Sequence, residues 1–142
     1  MISQFVDPVR IAGTTLNTGG TASVNVTSAD CLGFDFVTVI VSLGAIAAGG
    51  NLSVAKLQYS NDNTNWTDVT GGGQATLPGD TDDNKFLIWN RKNVSGAARY
   101  YRVVLTTSGA VNTVINEVYY LRSVGAAAPL GTTATVLSVN NT

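Results

Sequence analysis

The chain has 142 residues, 44% hydrophobic and 12% charged, with a net charge of −1 and no histidine. That length suits one ordinary domain, whose single core buries roughly 70% of the surface of the unfolded chain, and the apolar content excludes a disordered tail. The absence of histidine excludes Ser-His-Asp and Cys-His hydrolases and every His-ligated metal site, and a pI near 5.0 without a Lys/Arg stripe argues against electrostatic capture of nucleic acid.

Strand patterns occur in nearly every stretch and a helical period in none, with breaks at Gly, Asn, Asp and Pro clusters. Residues 1–8, MISQFVDP, carry neither the basic nor the apolar region of a secretory signal, and apolar runs such as Val39 to Val41 are far too short to cross a bilayer, so a soluble chain with no membrane partner is expected. A first strand is predicted over Val9 to Asn17. After the turn Thr18 to Gly20, a second follows at Ala22 to Thr27, where Ala22, Val24 and Val26 alternate with Ser23, Asn25 and Thr27, and the two are expected to pair as a hairpin. Cys31 has no second cysteine to pair with and is expected to act as a small buried hydrophobe.

Phe34 to Leu43 differs from the other strands, because Phe34, Phe36 and Ile40 hold one parity while Val37, Val39, Val41 and Leu43 hold the other. Both faces call for burial, which predicts a central strand with extra cover on its outer side or a neighbouring subunit over it. The small-residue loop Gly44 to Gly50 leads to Leu52 to Ser60, where Ala55, Leu57 and Tyr59 alternate with Lys56, Gln58 and Ser60, a strand with one wet face. Asn61 to Asn65 holds residues that bond their own backbone and tolerate left-handed conformations, so it reverses the chain before Trp66 to Val69, and Trp66 is expected to plug the core.

Gly71 to Gly73 and Leu77 to Asn84 form an irregular stretch. Asp80, Asp82 and Asp83 within it are the weak candidates for a Ca2+ site. They lack the EF-hand spacing and a suitably placed Glu, so a solvated loop is the expected use and neither metal nor cofactor is predicted. Strands follow at Lys85 to Asn90, Arg99 to Thr107 and Thr113 to Ser123, the last two expected to form a hairpin through Ser108 to Ala110. The result is an all-β fold, an antiparallel β-sandwich or jelly roll of about eight strands over residues 1–124 including an N-terminal arm. Residues 125–142 form a C-terminal extension whose strand-like Thr133 to Val139 pairs with its own sheet or with a neighbour's.

No run of residues reads as an active site, so no enzyme is expected. Ser60 to Trp66 resembles the Asp-box of sialidase propellers, but it has one residue fewer, lacks the Gly and occurs once, so it reads as a hairpin turn. The aromatics Trp66, Trp89, Tyr100, Tyr101, Tyr119 and Tyr120 are expected mainly in the core, a carbohydrate platform being the other use of such rings. A charged content of 12% is about half of the roughly 25% of typical soluble domains. The surface is therefore filled with Thr, Ser, Asn and Gly, which another protein covers at little desolvation cost.

Phe34 to Val39 (FDFVTV), Leu57 to Asp62 (LQYSND), Trp66 to Val69 (WTDV) and Arg99 to Val104 (RYYRVV) together carry a resemblance, over about residues 34–122, to small proteins of the structural gene clusters of tailed phages. The resemblance implies a capsid decoration, or cement, protein: a β-sandwich or jelly roll, often a trimer, on the outer surface of the virion's capsid. Its partners would be the major capsid protein and further copies of itself. The two ends of the chain reach beyond a sandwich, which makes Ile2, Phe5, Val9, Ile11, Leu130, Val136, Leu137 and Val139 the interface candidates. The alternative is a receptor- or glycan-binding module of a phage tail or an adhesin, using Trp66, Trp89 or the long loops.

Overall fold

The computed structural model describes residues 6–16, 23–93, 98–108, 113–124 and 136–141. Every regular element among them is a strand: β1 (Val6–Leu16), β2 (Ser23–Asn25), β3 (Ala29–Asp30), β4 (Phe36–Ile46), β5 (Asn51–Ser60), β6 (Thr67–Gly73), β7 (Phe86–Lys92), β8 (Tyr100–Ser108), β9 (Thr113–Ser123) and β10 (Val136–Asn141). Sheet A runs β1-β9-β4-β7-β10, and sheet B runs β2-β8-β5-β6 with β3 also on β8. All pairings are antiparallel except that of β10, which lies parallel to β7.

The pairs are nested. β5 pairs with β6, β4 with β7, β2 and β3 with β8, and β1 with β9. The chain is therefore one long antiparallel ribbon, closed at the β5–β6 turn and wrapped into two facing sheets, which is the jelly-roll order. β2 and β3 act as one interrupted strand along β8, since the Val26 amide donates to the Val103 carbonyl (2.9 Å) and the Cys31 amide to the Arg99 carbonyl (2.6 Å). β1 to β9 thus fill eight jelly-roll positions, and β10 is added at the edge of sheet A.

Two expected hairpins are corrected by this topology. β1 and β2 do not pair, and neither do β8 and β9, because the chain crosses from one sheet to the other at each of these joints. Turn residues signal a reversal of direction. Whether the reversed strand stays in its sheet depends on partners remote in sequence, here β9 for β1 and β8 for β2. The one hairpin of sequence neighbours among the described strands is β5–β6, as expected from Asn61 to Asn65.

Period-two alternation builds the core. Val37, Val39, Val41 and Leu43 all point inward from β4 and are fully buried, and they face Leu52, Ala55, Leu57, Val103 and Leu105 of sheet B. Val39 is flanked in its row by Tyr120 and Trp89, both with no exposed surface. Each of these large rings has one polar atom to satisfy, and each reaches the backbone of the opposite sheet. The indole Nε1 of Trp89 donates to the Gly72 carbonyl at 2.8 Å, and the Tyr120 hydroxyl accepts from the Val103 amide at 3.3 Å. Burial pushes the Tyr120 phenol well above its usual pKa, so it stays neutral. Gly72 is needed where it stands, because a Cβ there would lie 2.8 Å from Val69 Cβ and 2.9 Å from the Val69 carbonyl oxygen.

Trp89 and Gly72 meet where the indole of one sheet bonds the backbone of the other. Trp89→Ala is expected to cost about 3–5 kcal/mol of unfolding free energy by urea denaturation, and Trp89→Phe less, since it keeps most of the volume and loses the hydrogen bond. Gly72→Ala should also destabilise, which a glycine present only as flexible filler would not do.

Candidate binding surfaces

With the inner faces filled, recognition falls to the two outer faces and the ends of the sandwich. Residues opposite one another in an antiparallel pair share a face, so the outer side of sheet A carries Phe36 and Ile40 from β4, Phe86 and Ile88 from β7, and Tyr119 and Leu121 from β9. Ile88 is buried and the other five are half-buried. Between them lie the neutral Thr38 and Asn90, joined by a 3.0 Å hydrogen bond. Charge is confined to the margins, where Arg10 pairs with Glu117, which also accepts from the Tyr119 hydroxyl, and where Lys92 is exposed. β4 is thus central, as its two apolar faces predicted, and its outer side is only partly covered within the chain.

The outer face of sheet B is polar, and it holds Trp66. This corrects the expectation of a core plug: Trp66 stands outside the core cluster, half-exposed, with the Arg102 guanidinium 4.1 Å from its ring centre. Trp66 shares parity with the exposed Asp68, whereas Val69 is the residue that points inward. That alternation was the available signal. Trp89 is the true plug. Arg102 is fixed by a bond from its Nε to Gln58 Oε1 (2.9 Å), and Gln58 Nε2 donates to Asp68 Oδ1 (2.7 Å). Lys56 Nζ donates to Asp68 Oδ2 (2.8 Å). Lys56, then Gln58, hold the Asp68 carboxyl below the usual range, while partial burial lowers the Arg102 pKa. Beside this group Arg99 lies over Tyr100 at 4.9 Å and is gripped by Asp30 through Nε and Nη2.

At one end, the Asn61 to Asn65 turn is organised by a single carboxylate. Asp62 Oδ1 accepts from the Thr64 amide (2.9 Å), the Asn65 amide (2.7 Å) and the Ser60 hydroxyl (2.9 Å), and Oδ2 accepts from Asn65 Nδ2 (2.6 Å). Asn63 takes φ of 60°, a left-handed conformation that Asn tolerates. Nearby, a cavity of about 300 Å³ is lined by Cys31 to Asp35, Asn61, Asn93, Ala98 and Arg99. Its polar groups have structural work: Asn93 Nδ2 donates to the carbonyls of Cys31 (3.2 Å) and Phe34 (3.1 Å), and its Oδ1 accepts from the Tyr101 hydroxyl (3.0 Å). Burial pushes the Cys31 thiol up to about 12, so it remains protonated and a poor nucleophile.

No family model matches the chain, and no curated protein matches it.

The remaining candidates are placed as follows. Asp80 accepts from the Gly49 amide (2.9 Å), Asp83 from the Ile46 amide (2.7 Å), and Asp82 from the Gly79 amide (2.8 Å) and Lys85 Nζ (2.6 Å). They fasten this loop to the end of β4 and the turn after it, and among the described residues no group of three carboxylate, Cys or His side chains gathers around a point. Val9 and Ile11 are half-buried against the core. Val136, Leu137 and Val139 lie in β10 beside β7. Ile2, Phe5 and Leu130 lie outside the described residues.

The hydrogen bonds to Asp62, those from Asn65 first, hold its carboxyl well below the usual range. A lowered folded-state pKa contributes stability that is fully present above the unfolded value and fades as pH falls towards the folded one. Asp62→Ala should therefore lower the melting temperature at neutral pH, and its gap from wild type should narrow progressively below about pH 4. Amide hydrogen exchange at Thr64 and Asn65 should quicken in the same variant.

Proposed function

We propose that the protein is a structural component of a virion, a decoration or cement protein that binds the outer face of a phage capsid and stabilises it through contacts between subunits. The observation that carries this reading is the outer face of sheet A, half-buried and apolar, in a chain whose charged content is only 12%. Such a face loses little on desolvation and gains from cover, and it needs no chemistry. The jelly roll suits the role as a rigid double layer with one neutral side available. The resemblance of residues 34–122 to tailed-phage structural proteins points the same way. The partners are the major capsid protein and further copies of this chain, a trimer being the expected assembly.

Mechanistically, a ligand that binds only the expanded shell stabilises that shell by mass action, and each occupied site adds to its resistance to heat or internal pressure. Of the chain-end candidates Val9 and Ile11 pack against the core, which favours the outer face of sheet A as the main contact, with the other chain-end candidates beside it.

A second reading, a receptor- or glycan-binding module, is favoured by one observation: Trp66 is half-exposed beneath Arg102. A glycan array tests this reading, and co-sedimentation with phage heads tests the first.

Purified protein is expected to co-sediment with undecorated, expanded phage heads and to raise their disruption temperature. Ile40→Lys should weaken that association by at least about tenfold, because it buries a charge at the contact, while leaving the melting temperature of the free protein close to wild type. Absence of wild-type co-sedimentation sinks the capsid reading.

A further inference from the structure

The outer face of sheet B carries two arginine–aromatic stacks in adjoining positions, and their hydrogen bonding differs. Ser60 is paired with Tyr100, and Tyr59 with Thr67, so continuing that register sets Ser60 between Tyr100 on one side and Trp66 on the other. Arg99, over Tyr100, spends its guanidinium on both oxygens of Asp30. Arg102, over Trp66, spends only Nε, on Gln58. Its two terminal nitrogens have no hydrogen-bond partner among the described residues.

Those two nitrogens are well prepared. The indole fixes the plane of the guanidinium, and the chain from Lys56 through Asp68 and Gln58 fixes its rotation, all on paired strands. A planar fork held in this way matches a carboxylate in two parallel N–H···O bonds, and little side-chain entropy is left to lose on binding. Asp68 is already engaged by Lys56 and Gln58, so the Arg102 guanidinium has no carboxylate partner among the described residues. The surroundings suit a sugar: a part-exposed indole and the half-exposed Tyr100 supply ring faces, and the amide of Gln58 supplies a polar edge.

We propose that Arg102 and Trp66, on the outer face of sheet B, form a binding site for a carboxylated sugar, the carboxylate seated on the Arg102 fork and the pyranose ring against the uncovered part of the Trp66 indole. The site lies on the sheet opposite the proposed capsid contact. Head binding and sugar binding therefore succeed or fail separately.

The test is a titration of isotope-labelled protein followed by amide and indole NMR signals, with sodium glucuronate and N-acetylneuraminate as two probes and glucose and sodium acetate as controls. Saturable shifts of the Trp66 indole and the Arg102 side chain are expected with at least one of the two sugar acids, and no saturable shift with glucose. Arg102→Lys keeps the charge, loses the fork and should weaken binding by more than about tenfold. Gln58→Leu, which frees Nε and leaves the stack, should weaken it less. No saturable shift with either sugar acid in the wild-type protein overturns the proposal, and so does unchanged affinity in Arg102→Lys. Glucose binding as tightly as glucuronate removes the role of the carboxylate, and acetate doing so removes that of the sugar ring; either result overturns it as well.

Discussion

The architecture depends on one closed turn. Among the described strands β5 and β6 are the one pair adjacent in sequence, and the further pairs of the ribbon enclose them: β4 with β7, then β2 and β3 with β8, then β1 with β9. In such a nest the inner pair shortens the loop that each outer pair must close, so the closure cost of the outer pairs presupposes the inner one. The turn itself owes its shape to Asp62, whose two oxygens accept from four donors within the same few residues, and to a left-handed Asn63. It is also fastened to a layer further out in the nest, since the Ser28 hydroxyl donates to Asn63 Oδ1 at 2.6 Å from the break between β2 and β3.

Wrapping one ribbon into two sheets assigns the faces. The inner faces interlock, and the buried rings of Trp89 and Tyr120, both from sheet A, tie it to the backbone of sheet B. The outer faces are then free of structural duty and differ in kind. That of sheet A is apolar because β4, at its middle, alternates two apolar sets. That of sheet B is polar because β5 and β6 present Lys56, Gln58 and Asp68 there. A molecule with unlike sides is suited to lie on a surface by one side and present the other.

The strands were legible because a period of two survives without knowledge of partners: the alternations in Val37 to Leu43 and in Ala55 to Tyr59 mark inward and outward residues before any pairing is known. The pairings were not legible. Ala22 to Thr27 reads the same whether it returns beside β1 or crosses to sheet B, since the decision rests with Thr106, Leu105 and Val104, some eighty residues away. The two tryptophans show the same limit. Trp89 sits in a strand apolar on both parities, so its burial was readable, whereas Trp66 follows a turn, and its side was set by a parity that only Asp68 and Val69 reveal. The link between Trp66 and Arg102 crosses two strand pairings and had no local signal.

The distribution of the few charges completes the picture. Among the described residues Arg10 pairs with Glu117, Lys56 with Asp68, Lys85 with Asp82 and Arg99 with Asp30. Exposed pairs of this sort add little to stability. Their larger effect is on the field around the molecule, because each paired cation is cancelled within contact distance, and a net charge of −1 leaves little long-range potential to steer a partner. The proposed association through sheet A then relies on shape and apolar burial at short range. A structural coat can use such a contact, since it assembles once at high local concentration and gains from a slow off-rate more than from a fast encounter. Arg102 lies outside these pairs, and among the described residues its terminal nitrogens carry no hydrogen bond.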